Sequence, residues 1–288
     1  MPTNSSEHAA AASPRQPLFT VIDGFRCYAP ELAYASGDYP AEGFAVSAAI
    51  EAGSFWCRSR NRVLRDVIER FTDRTRRLAM LEIGCGIGGV VAELRRLGHL
   101  QLTASEVSIE GLRYARTRFP DVEFIQLDAA RMPFRADFDV IGAFDVLEHI
   151  EADERVISGV HDALRPDGLF IVTVPQYPWM WSALDETVCH KRRYRRAELL
   201  RKLGDNGFDV LFCSSFVTTL FPAMVASRLL GRGQSAQRSG EAALTAQVTL
   251  PPIVNRVFDW IMRLDELALR AGLSLPFGGS LLAVARKS

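Results

Sequence analysis

A glycine-rich turn between a strand pattern and a helix pattern constrains the fold of this chain more than any other feature. The apolar run from Leu78 to Ile83 predicts a buried strand, and Val90 to Leu97 has helical periodicity. Four glycines, at positions 84, 86, 88 and 89, lie between them. Glycine lets the backbone turn sharply and lets a ligand approach closely, and the start of a helix offers free N–H groups. The turn therefore predicts a cradle for a nucleotide-type ligand.

The glycines fit two ligand patterns at once. Gly84-x-Gly86-x-x-Gly89 satisfies the dinucleotide fingerprint. Glu82-x-Gly84-x-Gly86-x-Gly88 also fits, and it resembles motif I of the class I S-adenosylmethionine-dependent methyltransferases. Glu82 favours the second pattern, because a sulfonium ligand with a free amino group attracts a nearby carboxylate and a pyrophosphate does not. The turn by itself leaves both ligands open, together with a purely structural turn.

Strand and helix patterns alternate from residue 78 onward. This alternation predicts β-α-β units and a doubly wound α/β fold with a parallel sheet. Strands are predicted at 78–83, 100–105, 122–127, 138–144 and 168–174, and helices at about 88–97, 109–118, 151–164 and 196–206.

Acidic residues follow the second and third strands of this pattern. Glu106 comes about 20 residues after the glycines, where a carboxylate can bind both ribose hydroxyls of a nucleoside. Asp128 follows the third strand, where a carboxylate can accept the adenine amino proton. The segments 145–150 (DVLEHI) and 165–173 (RPDGLFIVT) then look like the regions after strand 4 and before strand 5 of many class I methyltransferases, including ubiquinone-biosynthesis O-methyltransferases, with Asp167 replacing the first glycine of their turn.

Five features in the family's order across residues 78–174 make the resemblance to class I S-adenosylmethionine-dependent methyltransferases strong, and they displace the dinucleotide interpretation. The resemblance implies a Rossmann-like seven-stranded sheet of order 3-2-1-4-5-7-6 with strand 7 antiparallel, and S-adenosyl-L-methionine as cofactor. Strand 6 is expected at 209–216 and strand 7 at 280–286. The cofactor contacts that it implies are Glu82, Gly84, Cys85, Gly86, Gly88, Glu106, Val107, Asp128, Ala129, Asp145 and Arg60.

The chain is expected to have four parts. Residues 1–17 are expected to be a disordered tail and 18–75 an N-terminal cap and helix, irregular up to residue 53. The helix after Phe55 is expected to pack on the sheet with its arginines in solvent; the alternative is that Arg58 or Arg60 reaches the cofactor or an anionic substrate. The core comprises 76–215 plus 279–288, and 216–278 is a helical insertion with a mobile polar stretch at 231–240.

The insertion contains an amphipathic helix from about Ile253 to Arg270. Val254, Val257, Phe258, Ile261, Leu264 and Ala268 form one apolar stripe. This stripe predicts a helix that packs on its own domain or on a second copy in a homodimer. The alternatives are a lid over an apolar substrate and a peripheral contact with a membrane.

Methyl transfer to a hydroxyl oxygen requires a base, and histidine suits that role at neutral pH. His190, in the loop after strand 5, and His149, after strand 4, are the catalytic candidates. Trp181, Arg192, Arg193 and Tyr194 are the candidates for substrate binding, the two arginines through an anionic group. Asp145-x-x-Glu148-His149 also resembles the metal-ligand motif of small-RNA 2′-O-methyltransferases and some quinone O-methyltransferases. The same letters occur in many metal-free relatives, so no metal is expected.

The amino-acid composition limits which classes of binding partner the protein can have. The 34 basic and 34 acidic residues balance, and no basic stripe favours nucleic acid. Five widely spaced cysteines without a C-x-x-C pattern indicate reduced thiols, as in a cytoplasmic protein. We expect methyl transfer to a hydroxyl oxygen of a small or amphipathic metabolite, such as a lipid-linked sugar, a polyketide or a quinone precursor. The alternatives are an N- or C-methyltransferase acting on a natural-product intermediate, and a non-catalytic regulator that binds the cofactor.

Overall fold

The computed structural model describes residues 18–34, 48, 51, 53–231 and 250–288. The predictions for the tail (1–17) and for residues 232–240 lie outside these ranges. Among the described residues, one nine-stranded sheet organises the fold. Its strands are β1 (Thr20–Ile22), β2 (Phe25–Cys27), β3 (Leu78–Ile83), β4 (Leu100–Glu106), β5 (Glu123–Gln126), β6 (Phe138–Phe144), β7 (Leu164–Pro175), β8 (Phe208–Phe216) and β9 (Ser280–Lys287).

The strand order is β1-β2-β5-β4-β3-β6-β7-β9-β8. Strands β3 to β7 pair in parallel, and β9 is antiparallel to both of its neighbours. The run from β5 to β8 reproduces the predicted order 3-2-1-4-5-7-6, so the Rossmann-like α/β fold is confirmed. The chain turns from one half of the sheet to the other between β3 and β6, which is the point where ligands bind in such sheets.

The N-terminal residues form two strands, so the prediction of an irregular cap is wrong there. β1 and β2 form an antiparallel hairpin around Asp23 and Gly24, both with positive φ, as a two-residue hairpin turn requires. β2 then pairs in parallel with β5 and extends the sheet by two strands. The side chain of Gln126 fixes this junction, since its amide accepts a hydrogen bond from the N–H of Ala29 and donates one to the Ala29 carbonyl.

Helices cover both faces of the sheet. Their bounds are α1 (Phe55–Phe71), α2 (Val91–Leu94), α3 (Ile109–Arg118), α4 (Asp153–Ala163), α5 (Ala183–Thr187), α6 (Arg196–Asp205), α7 (Phe221–Gly231) and α8 (Pro252–Arg270). One core lies beneath α4 and α6, and a second lies beneath α1 and α8. The helix predicted at 88–97 is regular only over Val91–Leu94, and Gly88, with φ +84, lies outside it. The glycine turn therefore leads into a short helix with little dipole of its own.

Helix α8 has the predicted bounds, but only part of the predicted apolar stripe is buried. Phe258 and Ile261 of the stripe pack against the core, together with Met262 and Leu269, whereas Val257 and Leu264 are exposed. The buried face also contains acidic residues. Arg62 of α1 donates hydrogen bonds to Asp259 and Glu266, at 3.0 and 2.6 Å, and Ser59 donates to Glu266 at 2.8 Å. Ion pairs with α1 thus join apolar contacts on the buried face.

The exposed face of α8 is apolar. Ile253 is 76% exposed and Trp260 72%, and Val257, Leu264 and Leu267 lie on the same face. Within the described ranges, no helix is long and apolar enough to cross a membrane.

Candidate active site

A cleft of about 520 Å³ opens at the carboxyl ends of β3, β4, β5 and β6. Its size lies within the range of small-molecule sites. Most of the predicted cofactor contacts line it, and His149 lines it as well. The predicted residues in its wall are Arg60, Glu82, Gly84, Cys85, Gly86, Glu106, Val107, Asp128, Ala129, Asp145 and His149.

The glycines of the turn have different roles. Gly84 has φ +68, and a Cβ there would lie 2.6 Å from Cγ2 of Val146. Gly86 has φ +52, and a Cβ there would meet no described atom within 4 Å, so this position borders the open cleft. Gly88 is not in the cleft wall: its missing side chain makes room for the Phe119 ring, 2.9 Å from an added Cβ. The structure thus gives Gly88 a packing role, and its predicted cofactor contact stays a prediction.

Glu82 is the penultimate residue of β3, just before the turn, with 2% of its surface exposed. Its Oε2 atom has no hydrogen-bond partner among the described residues. Burial raises the pKa of Glu82 to about 8; the cation of Arg60 lowers it, and the carboxylates of Glu51 and Glu106 raise it further. A buried carboxyl group with an unsatisfied oxygen favours a cationic or hydrogen-bond-donating ligand.

Glu106 and Asp128 are held in place by backbone groups. Glu106 accepts hydrogen bonds from the N–H groups of Gly86 (3.0 Å), Val107 (2.7 Å) and Ser108 (3.3 Å). Burial raises the pKa of Glu106, and these three bonds oppose the rise. Asp128 caps the short helix that follows it, accepting from the N–H of Ala130 at 2.9 Å, and it pairs with Arg131 at 2.7 Å. Both carboxylates thus border the cleft in fixed positions.

Arg60 enters the cleft from α1. Its Nη1 atom donates to Oδ2 of Asp145 at 3.0 Å, and its guanidinium lies over the Trp56 ring, 4.9 Å from the centroid. Burial would lower the pKa of Arg60, but Asp145 raises it and the net shift is upward. Arg58, the other candidate on this helix, pairs with Asp259 of α8 at 3.4 Å and is not in the cleft wall.

His190 and His149 lie side by side, with ring centroids 4.7 Å apart in an edge-to-face arrangement. Nδ1 of His190 is 2.9 Å from Oδ1 of Asp185, and its Nε2 faces Oε1 of Glu148 at 3.9 Å. Burial would raise the pKa of Asp185, but hydrogen bonds from His190 and Arg193 hold it well below its usual range. Burial raises the pKa of Glu148, and Asp145 adds to the rise. The structure thus brings together the two histidines that the sequence singled out.

The basic run after His190 is engaged within the protein. Arg193 is buried, donating to Asp185 at 2.7 Å and to the carbonyl of Gln176 at 3.2 Å. Tyr194 has 0% exposure, and its hydroxyl donates to Asp153 at 2.7 Å. The prediction of substrate contacts is wrong for these two residues, because neither offers a surface to a ligand. Arg192 pairs with Asp153 at 2.9 Å.

Trp181 is 37% exposed, and its Nε1–H donates to Glu186 at 3.4 Å. It follows Trp179 by two residues, on the loop after β7 that carries an aromatic group. The ring centroids of Tyr177 and Trp179 are 5.5 Å apart, and Tyr177 is also 5.5 Å from Phe221 of α7. Phe221 in turn contacts Phe277 at 5.8 Å. The loop and the insertion therefore share an aromatic surface.

Two acidic residues of the site were missed from the sequence. Glu51 lines the cleft, and its carboxylate occupies the space that a Cβ on Gly89 would need. It lies in a stretch that was interpreted as irregular, and it has no motif of its own. Asp185 could have been found, because Ser182-x-x-Asp185 is spaced as a capping box and both of its hydrogen bonds are present.

Comparisons with known proteins agree with this geometry. Residues 81–172 match the family described as methyltransferase domain. A protein of Mycobacterium tuberculosis, named a probable S-adenosylmethionine-dependent methyltransferase, is 30% identical over 171 residues, 58% of this chain and 61% of the relative. A ubiquinone biosynthesis O-methyltransferase of Idiomarina loihiensis is 27% identical over 128 residues, 42% of this chain and 52% of the relative. The chain thus spans about three fifths of the first of these relatives and half of the second.

Among solved structures, phosphoethanolamine N-methyltransferase 2 of Haemonchus contortus, in complex with S-adenosyl-L-methionine, has a similar fold. The TM-score is 0.58 at 17% identity, over 88% of this chain and 58% of that one. This likeness concerns the fold. The resemblance to class I S-adenosylmethionine-dependent methyltransferases that the sequence predicts is confirmed.

Proposed function

We propose that this protein is an S-adenosylmethionine-dependent methyltransferase that transfers a methyl group to a hydroxyl oxygen of a small or amphipathic metabolite. The observation that carries the proposal is Glu82, a buried carboxyl group with an unpaired oxygen at the start of the glycine turn. The methyltransferase-domain match over residues 81–172 supports the same cofactor.

The residues of the cleft fit this cofactor chemically. Glu82, through the backbone or a bound water, attracts the ammonium group of the methionine end, and Arg60 and Asp145 stand beside it for the carboxylate and amino groups. Glu106 binds the ribose hydroxyls, and Asp128 accepts from the adenine amino group. Gly84, Cys85 and Gly86 allow a close approach to the backbone, while Val107 and Ala129 supply contacts to the nucleoside. A dinucleotide fits less well, because its pyrophosphate would stand near Glu82 and Glu106 together.

Bound S-adenosylmethionine supplies a methyl group on a positively charged sulfur: the acceptor oxygen gains the methyl carbon as the carbon–sulfur bond breaks, and the electron pair of that bond stays on sulfur. The chain's own residues position the acceptor and remove its proton. Asp185 accepts a hydrogen bond from Nδ1–H of His190, which leaves Nε2 able to take the hydroxyl proton. His149, in the cleft wall beside His190, contacts the acceptor.

Two features support an amphipathic acceptor. The aromatic surface of Tyr177, Trp179, Phe221 and Phe277 offers an apolar wall. Arg228 of α7 makes no ion pair with any described residue. Burial lowers its pKa, and the cation of Arg193 lowers it further. An anionic group on the acceptor, such as the phosphate of a lipid-linked sugar, would compensate this cation.

The outer face of α8 supports delivery of the acceptor from a membrane surface. The acidic side chains of this helix point toward the protein, whereas Arg256 and Arg263 lie on its outward side beside the exposed Trp260. An apolar face that contains tryptophan and is flanked by arginine is typical of helices that lie on anionic lipid. Because α8 packs on α1, which carries Arg60, the membrane would lie one helix away from the cleft.

The proposal is tested with methyl-labelled S-adenosylmethionine and fractionated metabolite extract from the producing organism. We expect label to pass to an acceptor in the lipid-soluble fraction, and the Glu106→Gln variant to lose both cofactor binding and transfer. Cofactor binding by calorimetry without label in any fraction would instead favour a regulator that binds the cofactor. Label on nitrogen or carbon would favour the N- or C-methyltransferase alternative.

A further inference from the structure

We propose that Glu148, His149 and His190 form a binding site for a divalent first-row transition-metal cation at the wall of the cleft. One ligand atom from each of the three residues lies within 4.8 Å of the others. Two imidazole nitrogens with one carboxylate oxygen suit manganese, iron or zinc better than magnesium or calcium, which prefer oxygen ligands. The sequence interpretation expected no metal.

The separations between the ligand atoms are compatible with one ion. Ligand atoms each about 2.1 Å from a cation lie from about 3 Å apart at right angles to about 4.2 Å apart on opposite sides. Nε2 of His190 and Oε1 of Glu148 are 3.9 Å apart, which is within that range. The largest separation in the group, up to 4.8 Å, requires an inward shift of under about 1 Å. His149 is only partly buried.

Buried oxygens without a partner also indicate a missing ligand beside Glu148. Glu148 is 1% exposed, and its Oε2 atom has no hydrogen-bond partner within the described part of the chain. Thr173 Oγ1 and Gln176 Oε1, at the carboxyl end of β7, are buried without a described partner as well. Hydrogen bonds tie this end of β7 to both loops of the group, from the Asp145 N–H to the Thr173 carbonyl and from Arg193 to the Gln176 carbonyl. Buried unsatisfied oxygens are rare and call for a partner.

The surroundings of His190 already have the form of a metal-bound histidine. Asp185 Oδ1 lies 2.9 Å from Nδ1 of His190, so Nε2 is the atom directed at Glu148. Asp185 is fixed by Arg193 and by the hydroxyl and N–H of Ser182. Metal-binding histidines commonly donate their other N–H to a carboxylate, which sets the tautomer and orients the ring. The N–H of Lys191 also donates to the Glu148 carbonyl at 2.7 Å and joins the two loops.

The three ligands leave positions on the cation open toward the cleft, since His149 lines it. The use of the ion rests on the proposed function: an acceptor hydroxyl that binds at an open position is oriented and made more acidic, and its proton passes to solvent. With the cation bound, Nε2 of His190 is a ligand and no longer the base. Nε2 of His190 therefore acts either as a metal ligand or as the base, and the two mechanisms exclude each other.

The test titrates the chelator-treated full-length chain with Mn²⁺ and follows free Mn²⁺ by electron paramagnetic resonance. We expect one Mn²⁺ per chain. Asp185→Asn lowers the affinity by about 10- to 100-fold, and Glu148→Gln and His190→Gln lower it further. His161→Gln, a matched control on α4, leaves binding unchanged. Thermal unfolding of each variant checks the fold.

A second measurement does not depend on variants. Bound Mn²⁺ in the wild-type chain labelled with ¹⁵N-histidine is expected to show hyperfine coupling to two histidine nitrogens. Absence of that coupling, or wild-type binding no tighter than that of Glu148→Gln, overturns the metal site. Calorimetry of the wild-type chain with S-adenosylhomocysteine separates the two proposals: a wild-type chain that binds the cofactor product but no Mn²⁺ overturns the metal site alone, and one that binds Mn²⁺ but no cofactor product overturns the cofactor site alone.

Discussion

The guanidinium of Arg60 lies 3.0 Å from a carboxylate oxygen of Asp145, which joins α1 to the segment after β6 across the candidate cofactor cleft. Both side chains are largely buried, and Asp145 has φ +58, a conformation that few residues other than glycine adopt. The pair therefore stabilises the positive-φ backbone of Asp145 and neutralises a buried charge in the wall of the cleft. Several consequences of the proposed site can be measured.

Arg60→Ala is expected to weaken binding of S-adenosylhomocysteine and to destabilise the fold. Removing one partner of a buried ion pair leaves an uncompensated charge, at a cost of about 3–5 kcal/mol. Chemical denaturation and calorimetry measure the two effects. Arg58→Ala is the matched control, because Arg58 is on the same helix and pairs with Asp259 near the surface, where the loss is below about 1 kcal/mol. Equal effects of the two variants would contradict the role of Arg60.

Glu82 makes stability and cofactor binding depend on pH in opposite directions. Its pKa in the folded chain is about 8, above the ordinary value of 4.5. The folded state therefore binds the proton more tightly, and the stability from Glu82 is full below pH 4.5 and is lost as pH rises to about 8. Within that window the loss of stability is about 1.4 kcal/mol per pH unit. Glu82→Gln is expected to remove this slope in unfolding experiments across the window.

Cofactor binding should respond in the reverse sense. A bound ammonium group favours the ionised carboxylate, so binding near neutral pH is expected to release a proton from Glu82. Calorimetry in buffers of different ionisation enthalpy counts that proton, and Glu82→Gln should abolish it. Proton release of equal size in Glu82→Gln would assign it to another group.

Gly84→Ala and Gly86→Ala are expected to fail in different ways. Both positions have positive φ, which costs a side chain about 1–2 kcal/mol. At Gly84 the new Cβ also collides with Val146, so the melting temperature falls strongly. At Gly86 the Cβ points into open space in the cleft, so the melting temperature falls little while cofactor affinity drops. Thermal unfolding together with calorimetry separates these outcomes, and a folded Gly86→Ala variant with wild-type affinity would contradict the cofactor placement.

The exposed face of α8 is expected to bind vesicles that contain anionic phospholipid. Co-sedimentation should fall sharply in a Trp260→Ser, Leu264→Ser double variant, because both side chains are more than half exposed and stabilise nothing in the core. Leu18→Ser is the control, since Leu18 is 96% exposed beside β1. If the double variant sediments like the wild type, or if the wild type does not co-sediment with the vesicles, α8 is not a membrane contact.

The sequence predicted the parts of this fold that depend on local pattern. The apolar runs of β3 and β6 and the helix at 109–118 have the predicted bounds, because burial on both faces and amphipathic periodicity are visible within one segment. The β1–β2 hairpin was missed although its Asp23–Gly24 turn was visible. Its strands have three residues each, and they are fixed by Gln126, which is 97 positions away from its partner Ala29. Such pairing leaves no local signal.

The same difference between local and long-range features applies to the residues of the site. Residues tied to strand ends, such as Glu82, Glu106 and Asp128, lie in the cleft wall because parallel strands end at one edge. Arg193 and Tyr194 were misjudged, because a run of cations looks exposed until its partners are known. Those partners, Asp185 and Asp153, are 8 and 41 positions away.

The identity of the methylated atom in the product tests the proposed reaction most directly; mass spectrometry with fragmentation determines it after turnover with trideuteromethyl-labelled cofactor. We predict one labelled methyl group on an oxygen of an amphipathic acceptor. We also predict that His190→Gln forms the product about 100- to 10,000-fold more slowly while it binds S-adenosylhomocysteine as the wild type does. A labelled methyl on nitrogen or carbon, or an unimpaired His190→Gln variant, would contradict it.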